Sequence, residues 1–144
     1  MKDCAKGVVL VVDDVETNRV ILGEIIESMG CKVVLAENGT EALEKVREEL
    51  PHLVLTDISM PEMDGYELCR VLKANAETKA IPIIFISAFD NPKDIVKGFD
   101  LGGGDYITKP FIPELVQARV NVHLSLYEAN VEIREANRRL QASV

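Results

Sequence analysis

Short apolar segments alternate with amphipathic segments along the chain. The apolar segments are runs of aliphatic residues, typical of strands buried on both faces of a parallel sheet. They are Val8–Val12, Lys32–Ala36, Leu53–Asp57, Ile83–Ile86 and Tyr106–Ile107. Between them, apolar residues recur three or four positions apart, as on one face of a helix. This alternation of five strands with five helices predicts an α/β fold, in which a doubly wound parallel sheet carries helices on both faces.

The last predicted helix is longer than such a fold requires. It begins at Pro113, and its apolar residues continue at alternating spacings of four and three, which is a heptad seam. The seam consists of Val122, Leu126, Ala129, Ile133, Ala136 and Leu140. A straight helix from Pro113 to Leu140 would measure about 40 Å, too long for the surface of one such domain. We therefore predict a domain over residues 1–124 and, over residues 125–144, an extension of the fifth helix.

The extension has three interpretations. It is a coiled coil or helical linker, an amphipathic helix that folds back on the domain, or a frayed, disordered end. Asn130 and Asn137 lie seven residues apart beside the seam, where they either set the register of a coiled coil or face water.

Composition excludes several classes of protein. The 144 residues carry 24 acidic and 16 basic side chains, a net charge of −8, whereas nonspecific nucleic-acid binding requires a basic face. No apolar run approaches the roughly 20 residues that span a bilayer, and residues 1–7 lack the apolar stretch of a signal peptide. The three cysteines are unclustered, which indicates free thiols in a reducing compartment. A cytoplasmic location is therefore expected.

Five polar residues lie at the carboxyl ends of predicted strands. They are Asp13, Asp14, Asp57, Ser87 and Lys109, and in a parallel sheet these ends share one edge. Three neighbouring carboxylates repel one another unless a cation neutralises them or their pKa values rise. Oxygen ligands alone favour Mg²⁺ or a similar hard divalent ion. Such an ion and Lys109 would stabilise a phosphoryl group on Asp57, with Ser87 as a hydrogen-bond donor. An alternative for either Asp13 or Asp14 is a cap on the first helix.

Together these motifs resemble the receiver domain of two-component response regulators, over about Val8 to Leu124. The residues that carry the resemblance are Asp13-Asp14, Asp57 with Met60-Pro61-Glu62-Met63-Asp64-Gly65, Ser87-Ala88 and Lys109-Pro110-Phe111. Each motif alone is common by chance, but their order and spacing are specific. The resemblance implies a flavodoxin-like (βα)5 fold with strand order 2-1-3-4-5. It also implies a phosphorylation-activated signalling domain rather than a turnover enzyme.

The resemblance further implies a role for each site residue. Asp57 would accept a phosphoryl group from a histidine kinase or a histidine phosphotransfer protein, and Ser87 and Lys109 would bind its oxygens. Mg²⁺ or Mn²⁺ would be held by Asp13, Asp14, Asp57 and the backbone carbonyl of Ser59. Tyr106 matches the aromatic switch position, although it can also be read as ordinary strand filling. The Lys109–Pro110 bond is usually cis in this family.

Some residues depart from the commonest receiver pattern. Leu101-Gly102-Gly103-Gly104-Asp105 stands where receivers often have an alanine-glycine-alanine-aspartate-aspartate run, and the extra glycines are expected to loosen this loop. Phe89, two residues after Ser87, is expected to hinder the water that removes the phosphoryl group.

Two other functions are compatible with this fold. One is a receiver-like domain that binds partners without being phosphorylated. The other is a phosphatase with an aspartyl nucleophile, which would need a second aspartate where Ser59 stands. For the leading function, we expect the signal to leave through the face of Ser87 and Tyr106 and through the final helix, by dimerisation or to an output domain in a longer chain.

Overall fold

The computed structural model describes residues 7–87 and 92–142, and within them a single five-stranded sheet. The strands are β1 (Val8–Val12), β2 (Lys32–Ala36), β3 (Leu53–Asp57), β4 (Ile83–Ser87) and β5 (Asp105–Thr108). Every pairing is parallel and the order is β2-β1-β3-β4-β5. The predicted fold and strand order are confirmed. Phe89 lies outside the described residues, and so does the side chain of Asn130.

Helices follow each strand in turn. They are α1 (Glu16–Glu27), α2 (Gly39–Glu49), α3 (Gly65–Ala74), α4 (Pro92–Asp100) and α5 (Pro113–Ala142). Two of them begin at a side-chain cap, since Asn38 accepts a hydrogen bond from the Glu41 amide of α2, and Asp64 accepts one from the Glu67 amide of α3, both at 2.8 Å. The start of α1 has no such cap at Val15. The Asp13 carboxylate accepts a hydrogen bond from the amide of Val15 itself, at 2.9 Å, and so holds the turn before α1.

The sheet separates two apolar layers. Successive residues of a strand point to opposite faces, so Val9 and Val11 lie in one layer while Leu10 and Val12 lie in the other. The first layer contains α1 and the first half of α5, and the second contains α2 and α3. Because β1, β3 and β4 are covered on both faces, their unbroken apolar sequences are explained. The carboxyl ends of these strands lead directly into the site.

The final helix has two parts with different surroundings. Its first part packs against the sheet through Val116, Val120 and Leu124. Farther along, the seam residues are open to solvent, with Leu126 54% exposed, Ile133 58% and Leu140 65%. None of the helices in the described part of the chain combines the length and apolar character that a membrane span requires.

The glycine loop before β5 is held by hydrogen bonds. The Gly103 amide donates to the carbonyl of Gly98 at 2.9 Å, and the Gly104 amide donates to the carbonyl of Ile83 at 2.7 Å. Only Gly102 in this loop has a positive φ, of 101°, so only there does the backbone itself require glycine. The other two glycines are closely packed, since a β-carbon at Gly103 would meet Phe85 and one at Gly104 would meet His123. The expected loosening of this loop stays a prediction.

Candidate functional site

Asp57 ends β3 at the centre of the sheet edge and is only 5% exposed. One carboxylate oxygen, Oδ1, accepts a hydrogen bond from the backbone amide of Ser59 at 3.3 Å. The other oxygen, Oδ2, lies 3.4 Å from Nζ of Lys109. The carboxylate is thus fixed on both sides, by the loop that follows β3 and by the residue that follows β5.

Asp13 follows β1, the neighbour of β3, and is fully buried. Its Oδ1 accepts a hydrogen bond from the Val15 amide at 2.9 Å and lies 3.5 Å from the side-chain amide of Asn18. Its Oδ2 has no hydrogen-bond partner among the described residues and lies 3.9 Å from Nζ of Lys109. The N-cap of α1 is Val15, with no side-chain cap, so the prediction that Asp13 or Asp14 caps this helix is wrong. Oδ1 of Asp13 instead holds the turn before the helix, and Oδ2 is available as a metal ligand.

The three aspartates form one acidic cluster. Asp14 is exposed while Asp13 and Asp57 are buried, and one carboxylate oxygen from each lies within 4.8 Å of the others. A buried carboxylate oxygen without a hydrogen bond is costly, and a cation ligated there would remove that cost. Carboxylate donors without histidine or cysteine suit Mg²⁺ or Mn²⁺. The residues present thus fit a hard divalent ion.

Lys109 enters the cluster from the end of β5. Its backbone amide donates to the carbonyl of Ser87 at 2.9 Å, which ties the two strand ends together. The Lys109–Pro110 peptide is cis, as the resemblance implied. Ser87 itself ends β4 and is buried. The structure thus brings the predicted hydroxyl and ammonium residues to the same sheet edge as the three aspartates.

Burial raises the pKa of the Asp57 carboxyl above its usual value, and the neighbouring charge of Asp13 raises it further. The ammonium group of Lys109 and the amide of Ser59 oppose this shift. Two carboxylates that share a buried site resist simultaneous ionisation. The site therefore has unbalanced negative charge, which a divalent cation would neutralise.

Comparison with known proteins agrees with this geometry. The model of the response regulator receiver domain family matches residues 9–121. The chain belongs to this family. Its receiver is 35% identical to the protein PilG of Pseudomonas aeruginosa over 116 residues, which cover 81% of this chain and 86% of PilG. A response regulator structure from Chloroflexus aurantiacus superposes with a TM-score of 0.80 at 33% identity, covering 83% of this chain and 98% of the other.

Other relatives are longer than this chain. The chain is 38% identical over 124 residues to a probable cyclic di-GMP phosphodiesterase of Vibrio cholerae, covering 86% of this chain but 28% of that protein. Receivers are signalling domains rather than turnover enzymes, so the prediction of a non-enzymatic role is confirmed at the level of the family. Membership of the family also implies a histidine kinase as a partner.

Tyr106 lies in β5, one strand away from Asp57 across β4. Its ring packs against Phe85 at a centroid distance of 5.4 Å and against Phe99 of α4 at 5.7 Å. The ring therefore joins β4 to α4. This packing is compatible with both readings of Tyr106, the switch and the strand filling.

Two groups of polar contacts were not predicted from the sequence. In the first, Arg19 donates from Nη1 to the backbone carbonyl of Asp13 at 2.6 Å. In the second, Asp105 accepts hydrogen bonds from Arg119 at 2.8 and 2.9 Å and lies 3.1 Å from Nε2 of His123. The spacing of four between Arg119 and His123 places them on one face of α5, but only the fold shows that this face meets Asp105.

Proposed function

We propose that this receiver is switched by phosphorylation of Asp57. In the reaction, a carboxylate oxygen of Asp57 forms a bond to the phosphorus of a phosphohistidine on a kinase or phosphotransfer protein. The phosphorus–nitrogen bond breaks and its electron pair stays on the imidazole. The observation that carries this proposal is the buried Asp57 carboxylate, which lies beside the Asp13 and Asp14 carboxylates and 3.4 Å from Lys109.

Each neighbour of Asp57 has a proposed role. When bound, Mg²⁺ or Mn²⁺ would neutralise the carboxylates and the oxygens of the incoming group. Asp13, Asp14, Asp57 and the Ser59 carbonyl would hold the ion. Lys109 would bind the phosphoryl oxygens by replacing its present contact with Asp57 Oδ2, and the Ser87 hydroxyl would donate a further hydrogen bond.

The test is phosphate incorporation from acetyl phosphate with MgCl₂. We expect up to one phosphate per wild-type chain, with the base lability of an acyl phosphate, and none on Asp57→Asn. Asp100→Asn, a change at an exposed position of α4, is the matched control and should incorporate phosphate normally. Base-labile phosphate on Asp57→Asn would contradict the assignment.

Two further measurements, of phosphoester turnover and of Mg²⁺ binding, separate the two alternative functions. Continuous release of phosphate from small phosphoesters such as p-nitrophenyl phosphate would support the aspartyl phosphatase, although Ser59 occupies the position where such enzymes need a proton donor. A wild-type chain that neither binds millimolar Mg²⁺ nor incorporates phosphate would support the phosphorylation-independent binding domain.

We also propose an output through the final helix. Phosphoryl binding at Ser87 would shift Tyr106, whose ring bridges β4 and α4. It would also shift α5, which begins four residues after Lys109. In such switches, a local change of charge generally shifts a structural element between two conformations. In a longer protein, α5 would then join the receiver to an output domain, and the longer Vibrio cholerae relative is consistent with that arrangement.

The exposed seam of α5 supports a homodimer through a coiled coil. Leu126, Ile133 and Leu140 are all more than half exposed, and the small residues Ala129 and Ala136 between them permit close approach of a second helix. We expect a dimer in sedimentation equilibrium. Ile133→Glu should give a monomer, whereas Glu135→Ala, a change on the face of the helix turned away from the seam, should not. A wild-type monomer at high micromolar concentration would contradict this proposal. A cytoplasmic location stays a prediction.

A further inference from the structure

We propose that Arg19 is a positioning residue for the cation site, acting through Asp13. Nη1 of Arg19 donates to the backbone carbonyl of Asp13 at 2.6 Å. The donor comes from the first turn of α1, and the acceptor lies three residues before Glu16, where that helix begins. Arg19 therefore braces the turn that carries the Asp13 carboxylate. This inference rests on the proposed binding of Mg²⁺ at the aspartate cluster.

The bracing matters because the two oxygens of Asp13 have different surroundings. Oδ1 is occupied by the Val15 amide at 2.9 Å, with the Asn18 side chain at 3.5 Å. Oδ2 is buried and has no hydrogen bond in the described part of the chain. The carboxylate is thus held by one oxygen so that the other faces the cluster, where one oxygen from each aspartate lies within 4.8 Å of the rest.

The orientation of the Asp13 carboxylate depends on the backbone turn between Asp13 and Val15, which Arg19 contacts. The Val15 amide can reach Oδ1 only while the chain turns sharply after Asp13. Arg19 fixes that turn from the side of the carbonyl, and Val15 fixes it from the side of the carboxylate. Partners of a metal ligand that do not touch the metal commonly set its orientation, and their loss weakens metal binding about 10- to 100-fold.

Positioning and simple charge predict opposite results for removal of Arg19. A guanidinium near the cluster repels a divalent cation, so a role through charge alone means that Arg19→Gln binds Mg²⁺ more tightly. A positioning role means that Arg19→Gln binds it more weakly, because the turn at Asp13 relaxes. The direction of the change in affinity therefore distinguishes the two explanations.

The experiment is a titration of the full chain with MgCl₂, monitored both by isothermal calorimetry and by backbone amide NMR. We expect Arg19→Gln to weaken Mg²⁺ binding about tenfold, the low end of the effect of losing an indirect partner. The amide resonance of Val15 should shift in the metal-free protein, since its bond to Oδ1 is disturbed. Arg47→Gln, which removes the same charge from an exposed position of α2, should change neither quantity.

A second substitution guards against loss of folding. Arg19→Lys keeps the charge but lacks the rigid planar fork of donors, and we expect it to bind Mg²⁺ about twofold to threefold more weakly than the wild type. Wild-type or tighter affinity in both folded variants would overturn the positioning role and leave the proposed function intact. Absence of Mg²⁺ binding by the wild-type chain would instead overturn both.

Discussion

The ring of Phe85 occupies the space that a side chain at Gly103 would need. A β-carbon built at position 103 collides with Cε2 of Phe85 and lies 3.0 Å from the carbonyl oxygen of Gly98. Gly98 faces the same ring, since its β-carbon would lie 2.8 Å from Cε2 of Phe85. Gly103, one of the two glycines that depart from the usual receiver sequence before β5, is therefore explained by a large aromatic residue in β4.

We expect Gly103→Ala to destabilise the protein by about 1–3 kcal/mol, the usual cost of overpacking a core. In a Phe85→Leu background, Gly103→Ala should cost less stability, because the smaller leucine side chain leaves room for the new methyl group. Urea unfolding of both single variants and the double variant measures the coupling between the two positions. Strictly additive effects would mean that Phe85 is not the reason for the glycine.

A glycine with room around it provides the control. A β-carbon at Gly23 in α1 would meet its nearest atoms at 3.8 Å, on Leu35 and Val33. Gly23→Ala should therefore be neutral or stabilising by up to about 1 kcal/mol, the difference in helix propensity. A loss as large as that of Gly103→Ala would point to a general sensitivity to alanine rather than to a clash with Phe85.

Asp57→Asn should stabilise the metal-free protein at neutral pH. The folded-state pKa of Asp57 is raised, so the stability of the wild type falls as the pH rises from the usual carboxyl range through that folded-state pKa. The asparagine side chain does not ionise, so the variant does not lose this stability. We expect the variant to be more stable than the wild type by about 1–3 kcal/mol, the cost of a buried polar group with incomplete partners. The difference should vanish in acid, below the usual carboxyl pKa, and shrink when MgCl₂ is added.

Thermal unfolding between about pH 3 and pH 8 measures this difference, a range that extends on both sides of the usual carboxyl pKa. Asp100→Asn at the surface of α4 should show no comparable gain. If Asp57→Asn is less stable than the wild type at pH 7 without metal, the ion pair with Lys109 outweighs the burial of Asp57 and the repulsion from Asp13.

Asp105 should respond to pH in the opposite direction. Burial raises its pKa, but hydrogen bonds from the Tyr106 amide, His123 and Arg119 outweigh burial, and the net pKa is lowered. Its stabilising effect is therefore present above the usual carboxyl pKa and is lost as the pH falls through the lower, folded-state pKa. We expect Asp105→Asn to cost about 1 kcal/mol at pH 7, because solvent screens this partly exposed network, and much less near pH 2.

Denaturant unfolding at the two pH values tests the effect of Asp105. Asp64→Asn is a suitable control, since Asp64 caps α3 through the Glu67 amide at 2.8 Å and asparagine is an equally good cap. An Asp105→Asn variant with wild-type stability at pH 7 would show that hydrogen bonds to water stabilise Arg119 and His123 as well as the Asp105 carboxylate does.

Sequence alone predicts the parts of this molecule that depend on local patterns. Unbroken apolar runs identify the strands, and the parallel sheet then brings Asp13, Asp57 and Lys109 to one edge without knowledge of any distance. The contact of Arg19 with Asp13 was not predicted, because an arginine in the first turn of a helix usually faces water. The sequence also contains no local sign of the pairing between Phe85 and Gly103, which are far apart in the chain.

The boundary of the domain at Leu124 stays a prediction, and contacts beyond Leu124 bear on it. The sequence prediction ends the domain at Leu124, the last buried apolar residue among the α5 side chains that the structure describes. Tyr127 nevertheless packs against the second apolar layer and lies edge-on to His52, with ring centroids 5.6 Å apart. His52 in turn accepts a hydrogen bond from the Val8 amide at 3.0 Å, so Tyr127 anchors α5 at the end of the sheet opposite Asp57.

We therefore expect a chain ending at Leu124 to be less stable than one ending at Glu128 by about 1–2 kcal/mol, the sum of a partly buried ring and an aromatic pair. Tyr127→Ala in the full chain should cost a similar amount, and Tyr127→Phe much less, because the ring makes the contact. Urea unfolding of the two truncated chains, the two variants and the full-length wild type measures these differences. Equal stability of the two truncated chains would place the boundary at Leu124 and assign Tyr127 to the extension.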